Sequence, residues 1–245
     1  MKIVFHEKYF EVYSNDPASE EGRLDGAYDV LKDNYRFEKP RPAQDEDLLL
    51  VHGQAHIEHV KQDAHLYKAA CLAVGGAIQT SEIAHAGEPT FGLARPPGHH
   101  ASPNSCWGFC FFNNIAIAIR RLIDVCGISK ALIVDFDLHF GDGTSNTFAG
   151  DPHVAYYHMG PSVDSLGAFL SSAGNFEMLA VSAGFDRGVA DWGGTLTDGD
   201  YREIGELLKR FSEEKSEGRR FAVLEGGYNH RTLGMSILSF LRGFE

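Results

Sequence analysis

A chain of 245 residues is long enough for one large α/β domain with a substantial buried core. Its 43% of hydrophobic and 23% of charged residues are typical of a globular protein, and no internal repeat or low-complexity linker divides it, so we expect a single domain over residues 1–245. The formal net charge of −12 at pH 7 argues against a nucleic-acid partner, which would require a basic surface, and suits either a cationic substrate or simply a well-solvated acidic surface.

The chain begins with the apolar run Ile3-Val4-Phe5, which predicts a strand and not a cleavable signal. No apolar run approaches the roughly 18 residues that a membrane-spanning helix requires. The four cysteines form no CxxC pair, and buried free thiols are typical of a reducing compartment. The sequence therefore predicts a cytoplasmic protein without a membrane partner.

A loop-rich segment from Ser14 to Pro42 follows, with one short helix predicted near Gly26–Leu31. Such an excursion either shapes the rim of a site or is simply a solvated loop. Beyond it, apolar residues recur at helical spacing in four segments, and the second has asparagine caps at its start and Gly127 at its end. The predicted helices are His56–Ala84, a helix from Asn113 or Asn114 to Gly127, Asp198–Phe211 and His230–Arg242.

Short apolar runs between these segments are typical of buried parallel strands. The predicted strands are Ile3–Phe5, Phe91–Ala94, Ala131–Val134, Val154–Tyr157, Met178–Val181 and Phe221–Leu224. Strands that alternate with helices predict a three-layer α/β/α sandwich with a mainly parallel central sheet. In an open sheet of this kind, ligands bind at the carboxyl ends of the strands.

Polar side chains directly follow four of the predicted strands. Because the carboxyl ends of parallel strands meet at one edge of the sheet, we expect these side chains to lie close together. The four segments are Arg95-Pro96-Pro97-Gly98-His99-His100, Asp135-Phe136-Asp137-Leu138-His139, Ser182-Ala183-Gly184-Phe185-Asp186 and Glu225-Gly226-Gly227-Tyr228.

The segment from Asp135 to His139 places ionisable groups at every second position, so they share one side of an extended chain. Carboxylates crowded in this way repel each other unless a cation lies between them. Asp137, His139 and Asp186 supply three ligands for a divalent ion, and a tetrahedral catalytic zinc keeps its fourth position for water or substrate. Asp135 either orients a neighbouring group or joins backbone carbonyls around a monovalent cation such as K⁺.

The adjacent histidines His99 and His100 suit proton transfer beside such a metal. One imidazole can deprotonate a water molecule and later protonate the departing amine. The other can be held by a carboxylate, and Asp135 and Asp142 are the available partners. Tyr228 follows a Gly-Gly pair and can donate its hydroxyl to the oxyanion formed at a carbonyl.

Taken together, these residues resemble the zinc-dependent histone deacetylase superfamily, which includes acetylpolyamine amidohydrolases and acetoin-utilisation-like proteins. The resemblance covers about Phe91–Phe148 and Leu179–Tyr228, and is weaker around His52–His59. It implies an arginase/deacetylase-like fold and a metal-dependent amidohydrolase that removes acetyl groups from amines such as acetyl-lysine or acetylpolyamines. The motifs that carry it are Arg95-Pro-Pro-Gly-His-His-Ala101, Gly108-Phe-Cys-Phe-Phe-Asn113-Asn and Asp135-Phe-Asp-Leu-His139 followed by Gly-Asp-Gly143.

The resemblance also implies a role for each matching position. Zinc is the usual metal of the family, ferrous iron can use the same ligands, and bacterial relatives are often dimers or tetramers. The implied roles are metal ligation by Asp137, His139 and Asp186, general base and acid catalysis by His100, electrostatic support by His99, pairing of Asp135 with His99 and of Asp142 with His100, polarisation of the acyl carbonyl by Tyr228, a substrate channel lined by Gly108 and Phe109, and a structural role for Cys106 and Cys110.

Two departures from the family pattern concern the substrate channel. Only Met159–Glu177 stands where the family has a longer loop, an additional strand and a helix, and Val163–Ser172 is predicted to be that helix. This sequence therefore lacks the loop that supplies the second aromatic wall of the channel, either because it is deleted or because its residues are not included. Trp192, in Asp191-Trp192-Gly193-Gly194, is a candidate to contribute to the rim instead.

Two other functions fit parts of the sequence. A ureohydrolase shares the fold, but its two metals require a second DxD motif after the later strand, where this chain has Asp186-Arg187-Gly188. A catalytically silent deacetylase-like binding protein would lack a ligand, a histidine or the tyrosine, and all of these are present. Only the short segment favours the silent protein.

Overall fold

The computed structural model describes all 245 residues and contains one seven-stranded sheet in which every neighbouring pair of strands is parallel. The spatial order is β2-β1-β3-β7-β6-β4-β5. The strands are β1 (Lys2–Val4), β2 (Arg36–Glu38), β3 (Thr90–Gly92), β4 (Ala131–Asp135), β5 (Val154–His158), β6 (Met178–Ala183) and β7 (Arg220–Leu224). The predicted parallel sheet is therefore confirmed.

The chain forms nine α-helices, and none combines the length and the apolarity needed to cross a membrane. They are α1 (Asp25–Lys32), α2 (Asp45–Leu48), α3 (Gln54–Val60), α4 (Ala64–His85), α5 (Asn114–Cys126), α6 (Asp142–Thr147), α7 (Val163–Ser172), α8 (Asp198–Lys215) and α9 (Leu233–Phe244).

The helices form a layer on each face of the sheet, because alternate strand residues point in opposite directions. In β4, Leu132 and Val134 pack in a core with α1, α7, α8 and α9. The intervening Ala131 and Ile133 pack in a second core with α5 and the C-terminal half of α4. This arrangement is the predicted three-layer sandwich.

Several predicted helix boundaries are confirmed, and one helix is divided. Asn113 caps α5 by accepting a hydrogen bond from Ala116 N, and Gly127 ends it with a φ of 73°. The predicted helix His56–Ala84 is two helices, α3 and α4. The break occurs because the carboxylate of Asp63 accepts hydrogen bonds from the backbone N–H groups of His65 and Leu66 and starts a new helix.

The excursion from Ser14 to Pro42 is not a solvated loop. It contributes α1 and the edge strand β2, whose charged residues alternate with a single phenylalanine and hide its strand character. Arg23 within it is fully buried and donates hydrogen bonds to Glu225 O at 2.6 Å and to Gly227 O at 2.9 Å. The excursion therefore packs against the strand end that carries Tyr228.

All four cysteines are free thiols. Cys71 and Cys110 are buried, as expected for structural thiols. Cys126 is exposed at the end of α5, so not every free thiol of the chain is buried.

Candidate metal centre and active site

The polar residues that follow β3, β4, β6 and β7 meet at one edge of the sheet. These strands are consecutive neighbours in the order β3-β7-β6-β4, so their carboxyl ends form a continuous edge. His99 and His100 follow β3, and Asp186 follows β6. The structure thus brings together the side chains that the sequence predicted to converge.

Asp137, His139 and Asp186 form a compact donor set. Nδ1 of His139 lies 3.2 Å from Oδ1 of Asp137 and 2.9 Å from Oδ2 of Asp186, and the three ligand atoms lie within 4.8 Å of one another. Both carboxylates are buried, and His139 is partly exposed. Two carboxylate oxygens and one imidazole nitrogen are therefore close enough together to bind a single metal ion.

The remaining carboxylate oxygens are held by backbone N–H groups. Oδ2 of Asp137 accepts from Gly226 N at 2.8 Å, and Oδ1 of Asp186 accepts from Leu138 N at 2.9 Å. Oδ2 of Asp186 has no hydrogen-bond donor, because its short approach to His139 is not aligned as a hydrogen bond. A buried acceptor without a donor is costly and fits a cation ligand.

The pKa values of this donor set also indicate a cation site. Burial and the neighbouring Asp137 raise the pKa of Asp186 to about 6. Burial likewise acts to raise the pKa of Asp137, but the charge of His99 and the hydrogen bonds from His139 and Gly226 lower it overall. The two neighbouring carboxylates, Asp137 and Asp186, raise the pKa of His139 to about 10. Two buried carboxylates facing one imidazole carry excess negative charge, which a divalent cation would offset.

Each of the adjacent histidines is paired with a carboxylate. Nδ1 of His99 lies 3.0 Å from Oδ2 of Asp135, and Nδ1 of His100 lies 2.7 Å from Oδ1 of Asp142. The two imidazole rings lie 4.1 Å apart, measured between their centroids. These are the pairings that the family resemblance implies.

The two histidines have opposite pKa shifts. Burial alone would lower the pKa of His99, but the charges of Asp137, Asp135 and Glu225 outweigh it and raise this pKa well above its usual value. Burial and the neighbouring His99 lower the pKa of His100, against the opposing effect of Asp142. Near neutral pH, His99 is therefore the charged member of the pair and His100 is the neutral one.

Aromatic side chains lie beside this donor set, and the ring of Trp192 meets that of His139 edge-on with centroids 6.1 Å apart. The rings of Trp192 and Tyr228 are stacked, with centroids 4.1 Å apart, and Phe109 contacts both rings edge-on at 6.3 and 5.8 Å. Gly108 has a φ of 59°, and a Cβ there would collide with the His100 ring, so this position requires glycine. Gly108, Phe109, Trp192 and Tyr228 therefore form one rim.

Several residues of the site were not assigned by sequence reasoning. Tyr156 donates to Oδ2 of Asp135 at 2.9 Å, and Trp107 donates from Nε1 to Oδ2 of Asp142 at 2.9 Å. Glu225 is fully buried and accepts from Gly98 N at 2.7 Å and His99 N at 3.2 Å, which fixes the histidine loop. Only Glu225 had a usable signal, as a lone acidic residue directly after a buried strand.

The cysteines of the loop between β3 and α5 lie close to the site. Cys110 is buried beside His99 and Glu225, with its ligand atom within 4.8 Å of theirs, whereas Cys106 is half-buried. Burial raises the pKa of the Cys110 thiol well above its usual value, so it stays protonated.

Comparisons with known proteins show the family of this chain. Residues 18–160 match the model of the histone deacetylase domain family. The probable deacetylase of Methanothermobacter thermautotrophicus is 31% identical, with 86% of this chain and 79% of the relative covered. The probable deacetylase of Archaeoglobus fulgidus is 28% identical, with 99% and 86% covered. The polyamine deacetylase HDAC10 of Danio rerio is 28% identical over 96% of this chain but only 46% of its own length.

A solved structure shows the same fold. The crystal structure of the HDA15 HD domain superposes with a TM-score of 0.86 and 23% sequence identity, and covers 99% of this chain and 88% of its own. The alignment with the Archaeoglobus fulgidus relative runs over 314 positions, more than the 245 residues of this chain, so that relative carries additional residues. The family match ends at residue 160, where the short segment begins.

Proposed function

Because this chain belongs to the histone deacetylase domain family, we propose that it is a metal-dependent amidohydrolase that removes acetyl groups from acetylated amines. The observation that carries the proposal is the convergence of Asp137, His139 and Asp186 beside two histidine–carboxylate pairs at one sheet edge. A binding protein without catalysis would have no need for this complete set.

Asp137, His139 and Asp186 would hold the divalent cation, which we take to be zinc, with ferrous iron as the alternative. The unpartnered Oδ2 of Asp186 and the excess negative charge of the donor set support this assignment. When bound, such a cation supplies Lewis acidity at the base of the site.

His100 serves as the general base and then as the general acid. Its Nδ1 is occupied by Asp142, which leaves Nε2 as the nitrogen that can accept a proton from water. Because burial and His99 lower its pKa, His100 is neutral near pH 7 and ready to accept that proton. It then passes the proton to the departing amine.

His99 and Asp135 support this transfer without exchanging protons with the substrate. The buried carboxylate of Asp135 accepts from His99 Nδ1, from Tyr156 and from Asp137 N, so it is fixed on several sides. The positive charge of His99 keeps His100 neutral and offsets negative charge that develops nearby.

Tyr228 donates its hydroxyl to the acyl oxygen as negative charge develops on it. Burial raises the pKa of this phenol far above its usual value, so the hydroxyl remains a donor at every working pH. Stacking on Trp192 and hydrogen bonds from the backbone N–H groups of Tyr228 and Asn229 to Asp191, both at 2.7 Å, hold the ring in position.

We propose acetyl-lysine side chains and acetylpolyamines as the substrate class. Phe109 and Trp192 offer aromatic surfaces for the alkyl part of the amine, and the net charge of −12 suits a cationic molecule. Among the relatives, one is named a polyamine deacetylase and several are named histone deacetylases.

The role assignments are tested by three variants. His100→Ala and Tyr228→Phe are expected to reduce the turnover number by about 10²–10⁴-fold while the protein keeps its metal. Asp186→Ala is expected to lose the metal, as measured by elemental analysis after dialysis.

Two control variants are matched to the catalytic ones. His153 also pairs with an aspartate, Asp151, but at an exposed position, and the hydroxyl of Tyr157 bonds Ser165 O. His153→Ala and Tyr157→Phe should keep nearly full activity. Nearly full activity in His100→Ala or Tyr228→Phe would refute the corresponding role.

A further inference from the structure

Arg187 follows the ligand Asp186 in the chain and is a buried cation, 6% exposed. Its guanidinium donates to main-chain carbonyls and to no carboxylate. The acceptors are Phe136 O and Asp137 O (both 3.0 Å from Nε), Met159 O (2.9 Å from Nη2) and Gly160 O (3.2 Å from Nη1). Nη2 also lies 3.2 Å from Nε2 of His158.

These carbonyls belong to the two segments that flank the donor set. Phe136 and Asp137 connect β4 to His139, and Met159–Gly160 is the first part of the chain after β5. Arg187 itself follows β6, so one side chain connects the carboxyl ends of three neighbouring strands. The backbone of Asp137 is thereby fixed at its carbonyl by Arg187 and at its N–H by Asp135, 3.0 Å away.

Several carbonyl oxygens that converge on one buried positive charge resemble the environment in which proteins hold a dehydrated monovalent cation. We propose that Arg187 is the resident cation of this loop. Its guanidinium takes the place of a monovalent metal ion and fixes the backbone of Asp137, so that the divalent centre forms without K⁺ or Na⁺. This inference rests on the divalent metal centre of the proposed function.

Removal of Arg187 has two opposing effects on the affinity for a divalent cation. The loss of a nearby positive charge would by itself strengthen cation binding. The loss of the groups that orient a metal ligand weakens binding, by about 10–100-fold for partners of this kind. If Arg187 is a positioning residue, its removal should weaken zinc binding overall. If it acts only through its charge, its removal should strengthen zinc binding.

The test is the zinc affinity, measured by competition with a chromogenic chelator in KCl, NaCl or tetramethylammonium chloride at equal ionic strength. The wild-type protein should bind zinc equally tightly in the three salts. Arg187→Ala should bind about 10–100-fold more weakly in tetramethylammonium, with partial recovery when K⁺ or millimolar guanidinium is added. Arg187→Lys keeps the charge but cannot reach all the carbonyls. Its zinc affinity should therefore lie between those of the wild-type protein and Arg187→Ala.

Arg220→Ala is the matched control. Arg220 is also buried and donates to main-chain carbonyls, Phe244 O at 2.7 Å and Gly218 O at 3.0 Å. It lies at the start of β7, on the edge of the sheet opposite the proposed metal centre. Its removal should lower the melting temperature without changing zinc affinity or salt preference.

Three results would overturn the inference. These are K⁺-dependent zinc binding by the wild-type protein, a zinc affinity of Arg187→Ala that equals or exceeds that of the wild-type protein, and weakened binding by Arg187→Ala that neither K⁺ nor guanidinium restores. If Arg187→Ala does not fold, the wild-type salt comparison and Arg187→Lys decide the question. A wild-type protein that binds no zinc would refute the proposed metal centre as well.

Discussion

At the scale of single residues, Asp142 connects the proposed base to the exposed indole of Trp107. One of its oxygens lies 2.7 Å from Nδ1 of His100, and the other accepts from Nε1 of Trp107 at 2.9 Å. The indole also covers the imidazole, with ring centroids 4.0 Å apart. Because both carboxylate oxygens are engaged, the orientation of Asp142 is fixed, and with it the free nitrogen of His100.

Trp107→Phe should keep the ring over His100 but remove the hydrogen bond to Asp142. The indole N–H of Trp107 stabilises the negative charge of the Asp142 carboxylate. Without this hydrogen bond, the carboxylate interacts more strongly with His100 and raises the pKa of its imidazole. A net hydrogen bond of about 1 kcal/mol corresponds to up to about one pH unit. We therefore expect the acidic limb of the profile of kcat/KM against pH to move to higher pH by up to about one unit.

The matched control for this prediction is Trp192→Phe. The indole of Trp192 stacks on Tyr228 and makes no hydrogen bond to Asp142, so this change should alter KM and leave the acidic limb in place. An unchanged profile in Trp107→Phe, or the same shift in both variants, would contradict the assigned role of the Trp107 hydrogen bond.

The proposed ligands and histidines were predictable because they follow buried strands, and parallel strands end at one sheet edge. The alternation within Asp135–His139 also placed these side chains on one side of the chain. Trp107 and Arg187 were not predictable. The partner of Trp107 is 35 residues away and those of Arg187 are 27 to 51 residues away, and these contacts depend on side-chain orientations that only the packed structure defines.

At the scale of secondary-structure elements, His52 fastens the segment before α3 to the start of α5. This buried side chain lies with Nδ1 3.1 Å from Ser102 O and accepts a hydrogen bond from Asn113 N at Nε2, at 2.9 Å. Asn113 is the cap of α5 and also donates to Ala101 O, next to His100. Burial and the nearby His56 lower the pKa of His52 to about 4.

This shift predicts a loss of stability in acid. Because the folded-state pKa of about 4 lies below the ordinary value of 6.5, the unfolded chain binds a proton at His52 first as the pH falls. The free energy of unfolding should therefore decrease between about pH 6.5 and pH 4, by about 3 kcal/mol in total, and the contribution of His52 should level off below pH 4.

Urea unfolding at pH 7 and pH 4.5 tests this prediction in the wild-type protein, in His52→Gln and in His153→Gln, an exposed control. His52→Gln should lose roughly 2–3 kcal/mol less between the two pH values than the wild-type protein. The control should follow the wild-type protein. Equal losses in all three proteins would show that His52 is not responsible.

The elements themselves were predicted to different degrees. The bounds of α5 followed from Asn113 and Gly127, whose conformational preferences are local. The break between α3 and α4 was missed because the apolar spacing continues through it, and only the Asp63 cap interrupts the helix. The strand β2 was missed because its pairing with β1 is a tertiary contact at the edge of the sheet.

At the scale of the whole molecule, the fold class was predictable from the alternation of strands and helices, and the strand order was not. The order β2-β1-β3-β7-β6-β4-β5 places β3 next to β7, although the two strands are far apart in the sequence. Because they are neighbours, the loop that carries His99 and His100 lies against Glu225. The short segment after β5 contains the predicted helix α7. It leaves Trp192 as the aromatic residue opposite Phe109 at the rim.

The central claim is that this sheet edge hydrolyses acetylated amines with a bound metal. The most direct measurement is acetate release from an acetyl-lysine peptide and from acetylspermidine, with the protein as purified, after chelation and after zinc is returned. We expect release from at least one substrate, its loss on chelation and its recovery with zinc. No release from either substrate by zinc-loaded protein, or full release after complete metal removal, would contradict the claim.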